Sequence, residues 1–214
     1  MLLLWCGAVG PPLFVIAALI EGTTRREYDA ARLPFSLLAL GEFGWMQTVN
    51  FIVAGVLMVA FAVGLRRTLP RSGSPSRWGP ILVGLFGVGL LGAGIFTAAP
   101  GGGFPPGMRP TAGSTGDLHD LSTLVVFGSL IAAAAVLSRH FRIRGEGAWA
   151  SYSAATSAAV AVGFVVMFVG FSATNAITPV AGIVQRIAVV IGWTWLTLLA
   201  FHEIRGLRAA PRSP

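Results

Sequence analysis

The chain has 214 residues, of which 55% are hydrophobic and only 11% are charged. Soluble domains carry about 25% charged residues, so this composition excludes an ordinary soluble domain and is typical of an integral membrane protein. The net charge of +7 comes with neither a basic amphipathic helix nor a basic patch interleaved with aromatics, so we expect no nucleic-acid partner. The single cysteine, Cys6, excludes a disulfide framework within the chain.

Six apolar stretches are long enough to form membrane-spanning helices, each of which needs about 20 mostly apolar residues. In chain order they cover residues 2–20, 46–65, 80–99, 121–137, 154–171 and 184–201. The first lacks a basic leading segment and a small-x-small cleavage site before Glu21, so we expect a retained helix rather than a signal peptide. No segment is typical of a separate soluble domain, and we predict one polytopic membrane domain over residues 1–214.

All fifteen basic side chains are arginine, and they are distributed unevenly among the connections. Ten arginines follow the even-numbered stretches, whereas the connections after the odd-numbered stretches hold four arginines and six acidic residues. Because arginine-rich connections stay on the cytoplasmic side, both termini are predicted to be cytoplasmic. We therefore predict an all-α integral membrane protein, a six-helix transmembrane bundle in the bacterial inner membrane.

The three connections on the opposite side of the membrane differ in character. Residues 33–43 in the first are amphipathic, and we expect them to lie along the interface or to form a short re-entrant helix. Residues 100–116 are rich in Gly and Pro, which favours a lid or an irregular loop. The third connection is short and polar. Repeated glycines in the third apolar stretch indicate close helix packing rather than a ligand site.

Arg186 lies in the sixth apolar stretch, where an isolated charge costs roughly 3 kcal/mol on insertion scales. Such a residue usually faces the bundle interior and finds a partner there. The candidate partners are Glu42 and the adjacent pair His119 and Asp120, because they lie at helix ends predicted to reach the same membrane face. The pattern predicts a polar pocket near that face, in which Arg186 either binds an anionic group or forms a structural salt bridge with Glu42 or Asp120.

Two further groupings bring polar side chains towards this pocket. Glu42 precedes the second helix closely enough for Gln47 and Asn50 to present amide groups to the same vestibule. The alternative is that Glu42 is solvated at the interface and pairs with an arginine of the same side. His119 and Asp120 enter the apolar region side by side, and a histidine is suited to proton transfer near neutral pH.

No metal site and no cofactor are predicted. His140 and His202 belong to the opposite membrane face, so the three histidines do not share a metal ion. The sequence also lacks a nucleophile motif, a phosphate-binding glycine loop, a haem-type histidine pair and an aspartate-rich diphosphate motif. These absences exclude several classes of enzyme.

The chain resembles the six-helix prokaryotic membrane family catalogued as domain of unknown function 998. The resemblance is carried by LPFSLLALGEFGWMQTVNFIVAGVLMVAFAVGL, LLGAGIFTAAPG, GDLHDLSTLVVFGSLIAAAAVL and GIVQRIAVVIGWTWL, and it covers about residues 7–201. Within these segments the motif residues are Ser36, Gly41, Asn50-Phe51, Gly55, Gly94-Ile95-Phe96, His119, Gln185-Arg186 and Trp195. The family often has an acid soon after the Gly-Ile-Phe element, whereas Thr97-Ala98-Ala99 follows it in this chain. The resemblance implies the architecture and leaves the activity open.

We weigh two functions. The first is an intramembrane enzyme acting on a hydrophobic, isoprenoid or lipid-like substrate; one form is a terpene cyclase in which a buried, neutral carboxylic acid protonates an alkene or epoxide. Its catalytic candidates are Glu42, His119 and Asp120, and its substrate-binding candidates are Gln47, Asn50, Phe96, Gln185, Arg186, Trp193 and Trp195. The alternative is a non-enzymatic membrane protein, serving ligand binding, transport or membrane organisation, whose polar cluster is structural. It predicts that substitutions of Glu42, Asp120 and Arg186 lower stability together and with coupling.

Overall fold

The computed structural model describes residues 1–69, 77–108, 113–172 and 174–209. These residues form six long helices and two short 3-10 helices. The long helices are α1 (Leu2–Thr24), α2 (Gly44–Thr68), α3 (Trp78–Ile95), α4 (Ser114–Ile143), α5 (Gly147–Ser172) and α6 (Ala181–Ala209); the short ones cover Phe35–Ala39 and Thr178–Val180. All six long helices have the length and apolarity needed to cross a membrane, which confirms the predicted all-α membrane bundle.

The six helices are arranged as a ring in chain order. Each packs against the next along the chain, and α6 closes the ring against α1. Consecutive helices run antiparallel, so α1 begins and α6 ends at one end of the bundle, which we call the termini end. The described residues of the connections after α1, α3 and α5 lie at the other, which we call the loop end.

Five of the helices extend beyond their predicted bounds, because apolarity marks only the part of a helix that the membrane covers. The largest extension is in α4, which begins at Ser114 rather than at residue 121. His119 and Asp120 therefore lie on the second turn of this helix rather than just before its start. The third helix instead ends early, at Ile95, because Phe96 adopts an extended conformation. Pro100 follows soon after and disfavours a helical residue before it.

Glycines allow a very close approach between α2 and α3. A Cβ on Gly87 would lie 2.8 Å from the carbonyl oxygen of Gly55, and a Cβ on Gly55 would lie 2.8 Å from that of Gly87. The two helices therefore pack backbone against backbone at this point, as the repeated glycines predicted.

The amphipathic segment of the first connection does form a short helix. Its 3-10 turn, Phe35–Ala39, places the side chains of Phe35, Leu37 and Leu38 in the interior of the bundle. The segment thus covers part of the loop end. In the second connection, Gly101 and Phe104 exchange backbone hydrogen bonds of 3.2 and 3.0 Å, which makes a compact turn. Residues 109–112 of the predicted lid lie outside the described residues, and residues 114–116 belong to α4.

Candidate functional site

A cavity of about 840 Å³ occupies the loop end of the bundle. Residues from all six helices line it, and the segment from Arg32 to Leu37 of the first connection forms a further wall. Small-molecule sites in proteins measure about 300 to 1,000 Å³ and are mostly apolar with a few polar groups. This cavity has the size and the position of a site for a hydrophobic molecule.

Aromatic rings dominate the apolar part of the cavity wall. Trp193 is central among them, since its ring lies 5.7 Å from Phe14 and 6.4 Å from Phe127, centroid to centroid. Behind it, Phe86 packs edge-on at 4.9 Å. Aromatic faces bind apolar chains and attract cations. The aromatic lining among the described residues consists of Phe14, Phe35, Phe51, Phe127, Phe164, Phe168, Phe171 and Trp193.

His119 is the buried titratable side chain of the cavity wall, with only 2% of its surface exposed. Its Nδ1 lies 2.8 Å from the carbonyl oxygen of Phe96 and 3.2 Å from that of Ala93. Both carbonyls belong to the end of α3, where backbone acceptors lose their helical partners. Because carbonyl oxygens only accept hydrogen bonds, Nδ1 must carry a proton. His119 thus caps α3 with one nitrogen of its ring.

The other ring nitrogen of His119 faces the cavity. Within the described part of the chain, Nε2 has no hydrogen-bond partner and is not sealed from a water-sized probe. Asp120, the next residue, is exposed and also lines the cavity, but no hydrogen bond or ion pair joins its carboxylate to His119 or to any other described residue. The cavity therefore presents one imidazole nitrogen and one carboxylate that are both available to a ligand.

Arg186 binds backbone and aromatic groups rather than a carboxylate. Its guanidinium donates to the Tyr28 hydroxyl at 2.8 Å and to the carbonyl oxygens of Gly182 and Leu33 at 2.9 and 3.1 Å. It also stacks 4.4 Å from the centre of the Phe35 ring. The predicted salt bridge with Glu42 or Asp120 is therefore wrong, because carbonyls of an irregular segment and aromatic faces solvate the charge instead. Arg186 is not part of the cavity wall.

The start of α6 as a whole anchors the first connection. Gln185 accepts a hydrogen bond from the backbone N–H of Phe35 at 2.9 Å, and the N–H of Ile183 donates to the carbonyl of Ala31 at 3.0 Å. Burial raises the pKa of the Tyr28 hydroxyl above its ordinary value, although the charge of Arg186 opposes this. Tyr28 thus keeps its proton and lies 2.9 Å from the Pro34 carbonyl. Together these contacts hold the first connection in place, and this connection forms one wall of the cavity.

The predicted vestibule of Glu42, Gln47 and Asn50 does not form. Asn50 donates to the carbonyl oxygen of Phe14 at 3.1 Å and to the side-chain oxygen of Gln47 at 3.0 Å, so the two amides join α1 to α2. Both are buried, whereas Glu42 is exposed at the loop end. None of the three lines the cavity. The Asn50 amide bonds to α1 and to Gln47 of its own helix, and neither amide faces the ligand space.

Of the other residues predicted for the site, some line the cavity and some do not. Trp193 and Gln185 line the cavity together with His119 and Asp120. Trp195 is fully buried between α5 and α6, where its indole N–H donates to the Ser153 hydroxyl at 3.0 Å. Phe96 contributes only its carbonyl oxygen, to His119.

Sequence reasoning missed most of the aromatic wall. Phe164, Phe168 and Phe171 recur at helical spacing on one stretch of α5, which is a signal that could have marked a lined face. Arg32 was also missed, and it lies at the cavity wall with its guanidinium donating to the Gly102 carbonyl at 2.8 Å.

The contact between α4 and α5 is closed by hydrogen bonds towards the termini end, whereas towards the loop end the two helices border the cavity. Two serine hydroxyls bridge the helices in the closed half by donating to carbonyls of the facing helix. The rings of Phe127 and Phe164 stack 5.0 Å apart where this half ends. Nearer the loop end, Leu124 and Phe168 line the cavity and yet are 48% and 56% exposed. At the loop end both helices therefore border the cavity with exposed apolar side chains.

The charged groups of the termini end form a separate cluster. Glu146 contacts Arg144 and His202, at 2.8 Å in each case. This cluster ties the α4–α5 connection to α6. In the part of the chain that the structure describes, no three His, Cys, Asp or Glu side chains gather as they would around a metal ion.

Comparison with known proteins gives a family and nothing finer. No curated protein and no solved structure matches the chain. The family described as Protein of unknown function (DUF998) matches residues 8–202, which confirms the resemblance seen in the sequence. With nearly its whole length matched, the chain belongs to the DUF998 family.

Proposed function

We propose that the protein binds a single lipid-like hydrophobic molecule in the loop-end cavity. The observation that carries this proposal is a cavity of about 840 Å³, lined largely by aromatic rings, inside a bundle of membrane-spanning helices. Such walls exclude strongly hydrated ligands and favour apolar chains with a small polar group. The polar groups at the wall, His119, Asp120 and Arg32, fix the orientation of such a molecule.

The ligand reaches this cavity from the bilayer, between α4 and α5. In this proposal the exposed side chains of Leu124 and Phe168 leave the cavity wall incomplete between these helices and offer an apolar edge to a lipid chain. The arginine distribution predicts that the loop end faces the extracytoplasmic side of a bacterial inner membrane, so the source that we propose is the outer leaflet of that membrane. The ligand therefore passes from lipid to cavity without crossing water.

Filling the cavity is expected to displace the ligand. Thr123→Trp puts an indole into the cavity from α4, and we expect at least about tenfold less lipid-like material to be retained by the purified protein. The measurement is mass spectrometry of organic extracts, per mole of folded protein. Leu121→Trp is the matched control, since Leu121 is exposed on the same helix and does not line the cavity. Equal retention in both variants would place any bound lipid elsewhere and reject the proposal.

A second candidate function is acid–base catalysis on the bound molecule. The observation that favours it is the available Nε2 of His119 beside the available carboxylate of Asp120 in one cavity. Aromatic walls also suit the cationic intermediates of a terpene cyclase. A neutral carboxylic acid as proton donor is less well supported, because Asp120 is exposed and Glu42 lies outside the cavity. General acid–base chemistry by His119 and Asp120 is the better form of this hypothesis.

Product analysis tests the enzymatic candidate. Cells producing the wild type and fed with isoprenoid precursors are expected to form a new hydrophobic product, detected by mass spectrometry. His119→Asn and Asp120→Ala are expected to reduce it by about 100-fold or more, the usual contribution of a positioned acid or base. Glu42→Ala is the control and should leave the product unchanged, since Glu42 lies outside the cavity. A product that persists in both cavity variants, or that disappears only with Glu42→Ala, would contradict catalysis in this cavity.

A further inference from the structure

We infer that the bound molecule is a long-chain alcohol whose hydroxyl group donates a hydrogen bond to Nε2 of His119. This inference rests on the proposed binding function and narrows it to one chemical class. The inference follows from the hydrogen bonds that Nδ1 of His119 makes and from the chemistry of the surrounding cavity wall.

The hydrogen bonds of His119 determine what its free nitrogen offers. Nδ1 lies within hydrogen-bond distance of two carbonyl oxygens, of Phe96 at 2.8 Å and of Ala93 at 3.2 Å. Since neither oxygen can donate, Nδ1 carries a proton, and in an imidazole with one proton Nε2 then holds a lone pair. A complementary ligand must therefore bring a donor to this point. A hydroxyl does so, whereas an ether, a ketone or a carboxylate does not.

The surroundings of Nε2 exclude the protein itself as the source of that donor. Among the described residues no side chain or backbone group donates to this nitrogen, although His119 is 2% exposed. The nearest aromatic contact is edge-on, with the Phe51 ring centre 6.3 Å from that of the imidazole. A ligand hydroxyl that replaces water at this nitrogen keeps the hydrogen bond, whereas a ligand without a donor group gives it up. That difference makes the nitrogen a recognition point rather than an inert part of the wall.

The rest of the cavity lining indicates the chemistry of the rest of the ligand. From His119 the ring contacts run through Phe51, Phe14 and Trp193 to Phe127. They continue to Phe164 and Phe168, at the incomplete wall between α4 and α5. An apolar chain that begins at the imidazole can follow these rings towards the bilayer. Aromatic rings pack well against flat, unsaturated groups. The class of ligand that fits both the imidazole of His119 and the aromatic lining is therefore an unsaturated, single-chain alcohol such as an isoprenoid alcohol.

A ligand series with one changed group tests this inference. The probes are farnesol, its methyl ether and farnesoic acid, which share one chain and differ in the group offered to Nε2. Binding to the full-length protein in nanodiscs is measured by displacement of the co-purified ligand. We expect farnesol to bind the wild type about tenfold more tightly than the methyl ether, the equivalent of one recovered hydrogen bond. We expect the acid to bind no better than the ether.

The variant His119→Phe keeps a ring at this position and removes the acceptor. Farnesol and its ether are then expected to bind within about twofold of each other, whereas Glu42→Gln, a substitution outside the cavity, should keep the wild-type preference. If His119→Phe fails to fold, the wild-type series alone decides the matter. A wild type that binds the ether as well as the alcohol, or the acid most tightly, overturns the inference. In either case, a probe that binds to the wild type and that Thr123→Trp excludes occupies the cavity, so failure of this inference leaves the proposed function intact.

Discussion

Arg186→Ala is expected to lower the free energy of unfolding by about 3 kcal/mol, because hydrogen bonds to a charged group are each worth about 1.5–3 kcal/mol and the partners remain part-buried. The guanidinium contacts the Tyr28 hydroxyl and the carbonyls of Leu33 and Gly182, and it stacks on Phe35. Alanine would leave the Leu33 carbonyl and the Tyr28 hydroxyl short of a donor. Reversible unfolding of the purified protein in mixed micelles measures the change.

Double-mutant cycles identify which partner matters. Arg186→Ala combined with Tyr28→Phe is expected to show a coupling of about 1–2 kcal/mol, since the two side chains share a hydrogen bond of 2.8 Å. The cycles with Glu42→Ala and with Asp120→Ala are the controls, and both should be additive within about 0.5 kcal/mol. Strong coupling to either acid would restore the salt bridge that the contacts of Arg186 contradict.

The same substitution is expected to remove the ligand, although Arg186 does not line the cavity. Leu33, Pro34 and Phe35 do line it, and Arg186 holds this segment against α6. Once the segment is released, the cavity loses a wall and water enters. Arg186→Lys separates the two roles of the side chain, because lysine keeps the charge but lacks the planar fork of donors. The Arg186→Lys protein should retain part of the wild-type stability and a smaller part of the bound ligand.

The helices could be predicted from the sequence because a span needs only length and apolarity. Their ends were less predictable, since α4 continues as a helix through Ser114 and Asp117, which are polar. That extension decides the position of His119, on the second turn and against the carbonyls that end α3. A hydropathy pattern has no information about such a cap. It depends on where α3 stops, at Ile95 instead of residue 99.

Only some of the cavity-lining residues could be predicted from the sequence, for a related reason. Gln185 and Trp193 were expected at the pocket and line it, because α6 turns that face towards the ring interior. Gln47 and Asn50 were expected there too, yet their amides bond to each other and to the Phe14 carbonyl. The choice between a ligand-facing and a helix-facing amide depends on helix rotation about its axis, which polarity alone does not determine. Backbone carbonyls are likewise invisible in a sequence, and these are among the partners that Arg186 binds.

Closing the incomplete wall between α4 and α5 is expected to slow ligand exchange by at least about tenfold, because passage through an opening then limits the rate. Leu124 and Phe168 flank the opening, so cysteines at these two positions can be joined by a short bifunctional maleimide. Cys6, the single native cysteine, is first replaced by alanine. Exchange is followed by the release of a preloaded fluorescent isoprenoid alcohol into empty nanodiscs, before and after cross-linking.

The matched control joins the same two helices in their closed half. Ala135 and Ala154 are exposed there, beyond the stacked rings of Phe127 and Phe164, so a cross-link between them restrains the helices without covering the opening. This control should exchange ligand at the uncross-linked rate. If both cross-links slow exchange equally, the helices must move as a whole for release, and if neither does, the ligand leaves by way of the loop end. Only selective slowing by the Leu124–Phe168 cross-link is consistent with a molecule that passes from the bilayer into the cavity between α4 and α5.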